Sequence, residues 1–356
     1  MSEIYNCIRP GETWLDTNGK RIQAHGGSMI CVDGVFYWYG ENKEKTFEIT
    51  ENSIWHWGIK CYSSTDMYNW KDEGIICKPT PKKDGVMNPI QCAERPHIIY
   101  NENTKKYVMW IKYMNRTVKE NQKYCIATAE NILGPYVFVN EVHPFGMNGG
   151  DFDIAKDSSN GKAYIYFERV HSELICAELN EDYTDVTGVY SMHFPLPGCP
   201  YVREAPAFFE RNGNKYLLTS GTTGYFPNPT KTAIAKNFHG PWSDLGKTHL
   251  GDVRELSFCS QISCVFKHPD KKDLYIAMAD RWLTDLGENI TFSDIKPLAI
   301  SYSDDSEDVV EAKKQKIKSL SKRNMSLADY VWLPIVFKND IPYIEWKDKW
   351  RIEEYE

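Results

Sequence analysis

One pattern recurs five times along this chain and constrains the fold more than any other feature. A turn rich in Asp, Asn, Gly or Lys leads into a strand-like run with an aromatic near its start. It reads Asp33-Gly34-Val35-Phe36-Tyr37-Trp38-Tyr39, then Asn103-Thr104-Lys105-Lys106-Tyr107-Val108-Met109-Trp110, then Asn160-Gly161-Lys162-Ala163-Tyr164-Ile165-Tyr166-Phe167. It returns as Asn212-Gly213-Asn214-Lys215-Tyr216-Leu217-Leu218 and as Asp270-Lys271-Lys272-Asp273-Leu274-Tyr275-Ile276-Ala277. The tyrosines at 37, 107, 164, 216 and 275 stand 70, 57, 52 and 59 residues apart. A strand such as Pro96-His97-Ile98-Ile99-Tyr100 precedes the turn, so each occurrence is a hairpin centre. A third strand often ends in a second marker, as in Tyr68-Asn69-Trp70, Gly134-Pro135-Tyr136 and Gly240-Pro241-Trp242.

Five such groups predict an all-β, five-bladed β-propeller, each blade a small antiparallel sheet. A β-sandwich requires no such period. The runs at 330–337 and 342–346 are expected to complete the last blade and close the ring. Residues 283–329 interrupt that blade. Within them 306–323 reads as a helix, with Ser306 as N-cap, Glu307 and Asp308 in the first turn and lysines at the end. Val309, Val310, Ile317 and Leu320 give it only a thin apolar stripe, so a surface helix is expected. No other linker interrupts the chain. The expectation is a single catalytic propeller domain over 1–356, with a partly helical insertion at about 283–329.

Charge then narrows the function classes. Lys and Arg number 42 against 49 Asp and Glu, a formal net charge of −7, without a basic patch free of acidic neighbours. That disfavours nucleic acid as a partner. No run approaches the roughly 18 apolar residues of a membrane span. The start of the chain lacks a basic then apolar signal pattern. The ten cysteines form no Cys-x-x-Cys pair and several sit in apolar runs such as Met29-Ile30-Cys31-Val32, so they read as buried reduced thiols. Together these features lead us to expect a cytoplasmic protein. With 11 Trp, 22 Tyr and 15 Phe, the chain is rich in flat faces of the kind that grip sugar rings, although β proteins are aromatic-rich for packing reasons too.

Familiar catalytic signatures are missing. His25-Gly26-Gly27 resembles an oxyanion-hole loop, but no Gly-x-Ser-x-Gly elbow accompanies it. The chain has no phosphate-binding glycine loop and no His-x-x-x-His pair. What remains is a set of polar residues in apolar strand contexts, at least one from each blade. They are Glu41, Glu94, Asp151 with Asp153, Glu204 and Gln261. Carboxylates converging on one axial cleft raise at least one pKa, which keeps an acid protonated near neutral pH.

The stretches Gln23-Ala24-His25-Gly26-Gly27, Tyr37-Trp38-Tyr39-Gly40-Glu41-Asn42-Lys43, Glu94-Arg95-Pro96, Arg203-Glu204-Ala205-Pro206-Ala207 and Ser260-Gln261 resemble glycoside hydrolase family 43. Asp280-Arg281-Trp282 and Tyr330-Val331-Trp332-Leu333-Pro334 do so as well, and the exo-β-1,3-galactanase-like subfamily is the nearest group. The resemblance covers about residues 11–350. It implies a five-bladed propeller, an axial pocket and inversion at the anomeric carbon. It implies further that Glu204 is the general acid, that Asp151 tunes and orients it with Asp153 in reserve, and that Glu41 and Glu94 bind substrate. The wider family has an aspartate base in the first blade, where this chain offers Gln23-Ala24-His25. In the galactanase-like group, a glutamine matching Gln261 holds the water instead. The insertion at 283–329 is a second departure from the family pattern. Tyr113, Tyr225 and Trp282 are candidate stacking faces, and Arg203 is a candidate ion-pair partner of Glu204.

The function expected on this resemblance is an inverting, exo-acting hydrolase releasing galactose from β-1,3-galactan or short β-galactosides. The partner is an oligosaccharide or polysaccharide; no cofactor is required, and the resemblance leaves room for a structural Ca²⁺ in the channel. The alternatives are an α-L-arabinofuranosidase or β-xylosidase, and a non-catalytic carbohydrate-binding propeller.

Overall fold

The computed structural model describes residues 4–83, 85–117, 122–195, 198–299 and 306–356. Five antiparallel sheets follow one another along the chain. The first holds β1 (His25–Val32), β2 (Val35–Glu41), β3 (Ile59–Ser64) and β4 (Lys71–Cys77). The second holds β5 (Cys92–Asn101), β6 (Lys106–Met114), β7 (Lys123–Ala129) and β8 (Val137–Val142). The third holds β9 (Gly149–Lys156), β10 (Ala163–Arg169), β11 (Glu173–Leu179) and β12 (Val186–His193). The fourth holds β13 (Glu204–Arg211), β14 (Asn214–Ser220), β15 (Lys231–Ala235) and β16 (Ser243–Lys247). The fifth holds β17 (His249–Leu250), β18 (Gln261–Lys267), β19 (Tyr275–Arg281), β20 (Asp329–Lys338) and β21 (Ile341–Glu345).

In every sheet the recurrent turn joins the first long strand to the second, where the pattern places it. The first strands pack in a ring: β1 on β5, β5 on β9, β9 on β13, β13 on β18, and β18 back on β1. This is the predicted five-bladed propeller. The fifth sheet differs in one respect, because β17 adds a parallel edge strand beside β21.

The ring closes where the two ends of the chain meet. Ile8 and Trp350 exchange backbone hydrogen bonds of 2.9 and 3.0 Å. The Trp350 indole donates to the Trp332 carbonyl at 2.9 Å. Around this latch Ile8, Ile22, Trp38, Trp70, Tyr330, Trp332 and Trp350 form one buried cluster. The recurrent aromatics therefore serve chiefly as core, each large buried ring being worth about 1.5–3 kcal/mol of burial.

The insertion leaves the fifth sheet after β19 and returns at β20. It carries α1 (Phe292–Ile295) and α2 (Glu307–Leu320). The second helix begins at the predicted N-cap, Ser306, and stops three residues short of Arg323. Its stripe is narrower than expected, since Val309 is 42% exposed. Ile317 and Leu320 pack inward against a cluster that includes Phe226, Trp282, Leu283 and Ile295. The helix thus lies over one end of the propeller. Residues 300–305 fall outside the described part of the insertion.

Candidate active site

A cavity of about 350 Å³ opens at the end of the ring where the first strands begin. The strand starts are bent by a repeated device. On β1, β5 and β13 the pairing with the next strand shifts register just after His25, Glu94 and Glu204. The residue that follows adopts a left-handed backbone, with φ of 61° at Gly26, 50° at Arg95 and 48° at Ala205. Bulges of this kind re-aim side chains at the end of a strand. They turn Glu94 and Glu204 into the cavity, where Asp151 from β9, Gln261 from β18 and Glu41 from the end of β2 join them.

Most of these carboxylates meet a cation. Glu41 pairs with the fully buried Lys43 at 2.6 Å and accepts the Arg95 backbone N–H at 3.1 Å. Glu94 pairs with Lys112 at 2.7 Å and accepts the Trp55 indole N–H at 2.8 Å. Asp151 lies between Arg95 at 2.8 Å and Lys112 at 2.9 Å. Burial alone would raise all three carboxyls. Lys112 and Lys43 overcome it at Glu94, which falls to about 2. Arg95 and Lys112 overcome it at Asp151, which falls below its ordinary value. At Glu41 burial, helped by the Glu94 charge, outweighs Lys43 and lifts the carboxyl to about 7.

Glu204 forms no ion pair among the described residues, and Lys112 and Arg95 offset its burial only in part. Burial, then the charges of Asp151 and Glu168, push its carboxyl well above the ordinary range. Its neighbour is Gln261, whose Nε2 stands 3.5 Å from Glu204 Oε1 and donates to Ser220 Oγ at 2.9 Å. Gln261 Oε1 accepts from the Arg95 guanidinium at 2.7 Å and from the Trp282 indole at 3.2 Å. Gln261 and Glu204 are therefore in contact, closer than the roughly 6.5–9.5 Å that separates the paired groups of an inverting glycosidase.

The first-blade position that lacks an aspartate is occupied differently. His25 is fully buried and hands its Nδ1 to Asp280 at 2.9 Å, while its ring stacks on Tyr330. Beside it, a Cβ on Gly26 would sit 2.5 Å from Glu41 Oε1. Glu41 thus fills the space that a side chain on this stretch of β1 would take.

Of the residues singled out in the sequence, Glu41, Glu94, Asp151, Glu204, Gln261, Tyr225 and Trp282 line the cavity. Two do not. Asp153 lies one strand pleat below the floor, where it accepts the Phe208 N–H at 2.7 Å and pairs with His97 at 3.2 Å. Tyr113 is buried within the second sheet on β6, under the Lys123 ammonium. Arg203 is not the partner of Glu204 either; it pairs with Asp244 and lies over the Phe194 ring. The sequence reading missed the cations Lys43, Arg95 and Lys112, and the wall residue Trp55. Lys112 carried a signal, since a lone lysine inside Tyr107-Val108-Met109-Trp110-Ile111 and Tyr113 must find a carboxylate.

Among the described residues one group could hold a metal ion. The ligand atoms of Glu168, His171 and Glu204 lie within 4.8 Å of one another. Two carboxylates and an imidazole suit a transition ion better than Ca²⁺, which takes six to eight oxygens.

A sequence model of the family described as Glycosyl hydrolases family 43 matches residues 24–284. Xylosidase/arabinosidase 43B of Humicola insolens is 24% identical over 214 residues, covering 56% of this chain and 38% of that protein. Among solved structures, one described as a family 43 β-1,3-galactosidase has a TM-score of 0.78 and 29% identity, covering 99% of this chain and 65% of the other. A second, solved with galactodeoxynojirimycin, has a TM-score of 0.76 and 26% identity, covering 97% and 100%. The exo-β-1,3-galactanase of Phanerochaete chrysosporium, solved with β-1,3-galactotriose, has a TM-score of 0.76 and 25% identity, covering 98% and 68%. The chain thus spans less than half the length of the curated relative and 65% of the first of these structures.

Proposed function

The chain belongs to glycosyl hydrolases family 43, and from that premise we propose that it is an inverting, exo-acting β-galactosidase of β-1,3-galactan or short β-galactosides. One observation carries the reading: at the floor of an axial cavity burial and the charges of Asp151 and Glu168 push the Glu204 carboxyl well above its ordinary range, while its neighbours Glu94 and Asp151 are held below theirs by cations. An acid held protonated beside fixed carboxylates is what protonation of a glycosidic oxygen requires.

In this mechanism Glu204 donates its proton to the glycosidic oxygen as the bond to the anomeric carbon breaks. Asp151 keeps that proton in place between turnovers by its negative charge. Glu94, fixed by Lys112 and Trp55, accepts hydrogen bonds from sugar hydroxyls. Tyr225 and Trp282 offer ring faces above the floor. A water positioned by Gln261 attacks the opposite face of the sugar; the proton it releases as it becomes the anomeric hydroxyl passes to solvent, from which Glu204 is reprotonated for the next turnover.

A second reading gives that water to Glu41. Two observations favour it: Glu41 fills the empty space beside Gly26, and its carboxyl at about 7 is poised to accept a proton. Gln261, by contrast, already uses both its amide atoms on protein partners. Azide separates the two readings. Recovery of turnover by azide in Glu41→Gln, with formation of the inverted glycosyl azide, assigns the water to Glu41; recovery only in Gln261→Ala assigns it to Gln261.

The overall proposal is tested by NMR of the products of β-1,3-galactobiose. Galactose appearing first as the α anomer is expected. The β anomer would overturn inversion. Hydrolysis of aryl arabinofuranosides or xylosides in preference to β-galactosides would overturn the sugar assignment, and bind-only behaviour would leave a carbohydrate-binding propeller.

A further inference from the structure

The cavity has a floor of paired charges and a wall built by the insertion. Ile295, Leu298, Ala299, Ile317 and Arg323 all line it, beside Tyr225 and Phe226. Four of the five insertion side chains are aliphatic or a methyl group, and the fifth is a guanidinium. The floor's cations have carboxylate partners: Lys43 with Glu41, Lys112 with Glu94 and Arg95 with Asp151. Arg323 is the charge left over. Arg323 is half-buried; its Nε is buried without a hydrogen-bond partner, and its guanidinium makes no ion pair or hydrogen bond with the described residues.

The carboxylate that meets this stretch of backbone, Asp285, is committed elsewhere. Asp285 accepts the Ser321 hydroxyl at 2.6 Å and the Lys322 N–H at 2.8 Å. Ser321 Oγ in turn accepts the Arg323 N–H at 3.0 Å. This clamp holds Arg323 at φ 54°, a backbone conformation that a non-glycine residue occupies only when its surroundings impose it. Asp285 therefore fixes the backbone that presents the arginine and leaves the guanidinium uncompensated. A half-buried cation beside aliphatic side chains, with no anion against it, is poorly compensated.

Resting on the galactosidase reading, we propose that Arg323 forms an anion-binding subsite for the group attached to the released sugar. The floor takes the terminal sugar, so whatever that sugar is linked to extends toward the wall of the insertion. Among its described residues that line the cavity, the insertion offers no carboxylate or amide to neutral hydroxyls. It offers a half-buried guanidinium beside aliphatic side chains, suited to bidentate capture of a planar carboxylate or of a sulfate ester. The preferred substrates are then β-galactosides with an acidic, compact aglycone, and neutral polymer is the poorer substrate.

The experiment compares 4-carboxyphenyl β-galactoside, its uncharged methyl ester and 4-sulfophenyl β-galactoside, by kcat/KM and by calorimetric binding. The acid is expected to exceed its ester by about tenfold, the usual scale for a hydrogen bond to a charged group. The sulfonate ranks the two anion chemistries. Arg323→Gln should bring the acid-to-ester ratio to about one, and Arg323→Lys should keep part of it. An ester that equals the acid in the native protein overturns the proposal, as does an unchanged ratio in a folded Arg323→Gln. If that variant does not fold, the native ratio at low and high salt decides, since only a charge contact weakens with salt. Absence of turnover on all three compounds would overturn the galactosidase reading, while the calorimetric ratio would still judge Arg323.

Discussion

Glu94 on β5 and Glu204 on β13 sit at the same bulge of the second and fourth blades. Each is followed by a left-handed residue, Arg95 or Ala205, and each points into the same cavity. They differ in the residue opposite on the neighbouring strand. Glu94 is registered with Lys112, and Glu204 with Ser220. The first carboxyl falls to about 2 and the second rises well above its ordinary value. One cross-strand position thus separates a carboxyl held low from a carboxyl held high. The propeller repeats a backbone device, and the chemistry comes from what the next strand places against it.

The comparison breaks hardest if Glu204 is not the donor. Glu204→Gln should lower turnover of substrates with poor leaving groups by about 10²- to 10⁴-fold. Aryl galactosides with good leaving groups should lose less, because they need less protonation. Equal losses on both would reduce Glu204 to a binding residue.

The next test removes the cation. Lys112→Met leaves Glu94 and Asp151 facing each other in a buried site. A loss of about 3–5 kcal/mol is expected, the usual result of stripping one partner from a buried ion network. Urea unfolding reads it, and a loss under 1 kcal/mol would show that the pairing does not set the charge state. The same pairing has a pH signature. The carboxyl of Glu94 is lowered in the fold, so its stabilisation is complete above the unfolded value of about 4.3. It disappears as pH falls toward about 2.

Ser220→Lys installs the Glu94 arrangement at Glu204. The acid must be protonated to work, so activity disappears as pH rises through its pKa. A facing ammonium lowers that pKa, and the basic limb of the kcat/KM profile should move down by about 1–3 pH units, the range for an adjacent opposite charge. An unmoved limb would mean that another group controls it. The smallest effect is expected at the backbone. Ala205→Gly relieves a left-handed alanine at the cost of chain entropy, so the net change in stability should stay within about 1 kcal/mol.

The fold was legible because each blade must solve the same problem with local means: a tight turn, then a strand with a large ring to bury. The fifth blade's parallel edge strand His249–Leu250 was not, because two residues carry no period. The carboxylates were legible as polar residues in apolar strands. Their cations were not, since partners such as Glu94 and Lys112 come together only through strand register. Asp153 illustrates the limit. It shares a strand face with Asp151, and a strand advances about 6.6 Å in two residues. That distance carries Asp153 out of the cavity and into the packing beneath it. The insertion read as surface helix because its stripe is thin, and nothing in its periodicity said that Ile317 and Arg323 would look onto a cavity.

The Ile8–Trp350 latch bears on the order in which the molecule can be assembled. Contacts between residues at opposite ends of a chain are the last that synthesis makes available and the slowest to find by diffusion. Four sheets have local partners as soon as they emerge, but the first cannot finish burying Trp38 until Trp332 and Trp350 exist. During that interval the growing protein exposes a broad aromatic face, and chaperone protection is most valuable there.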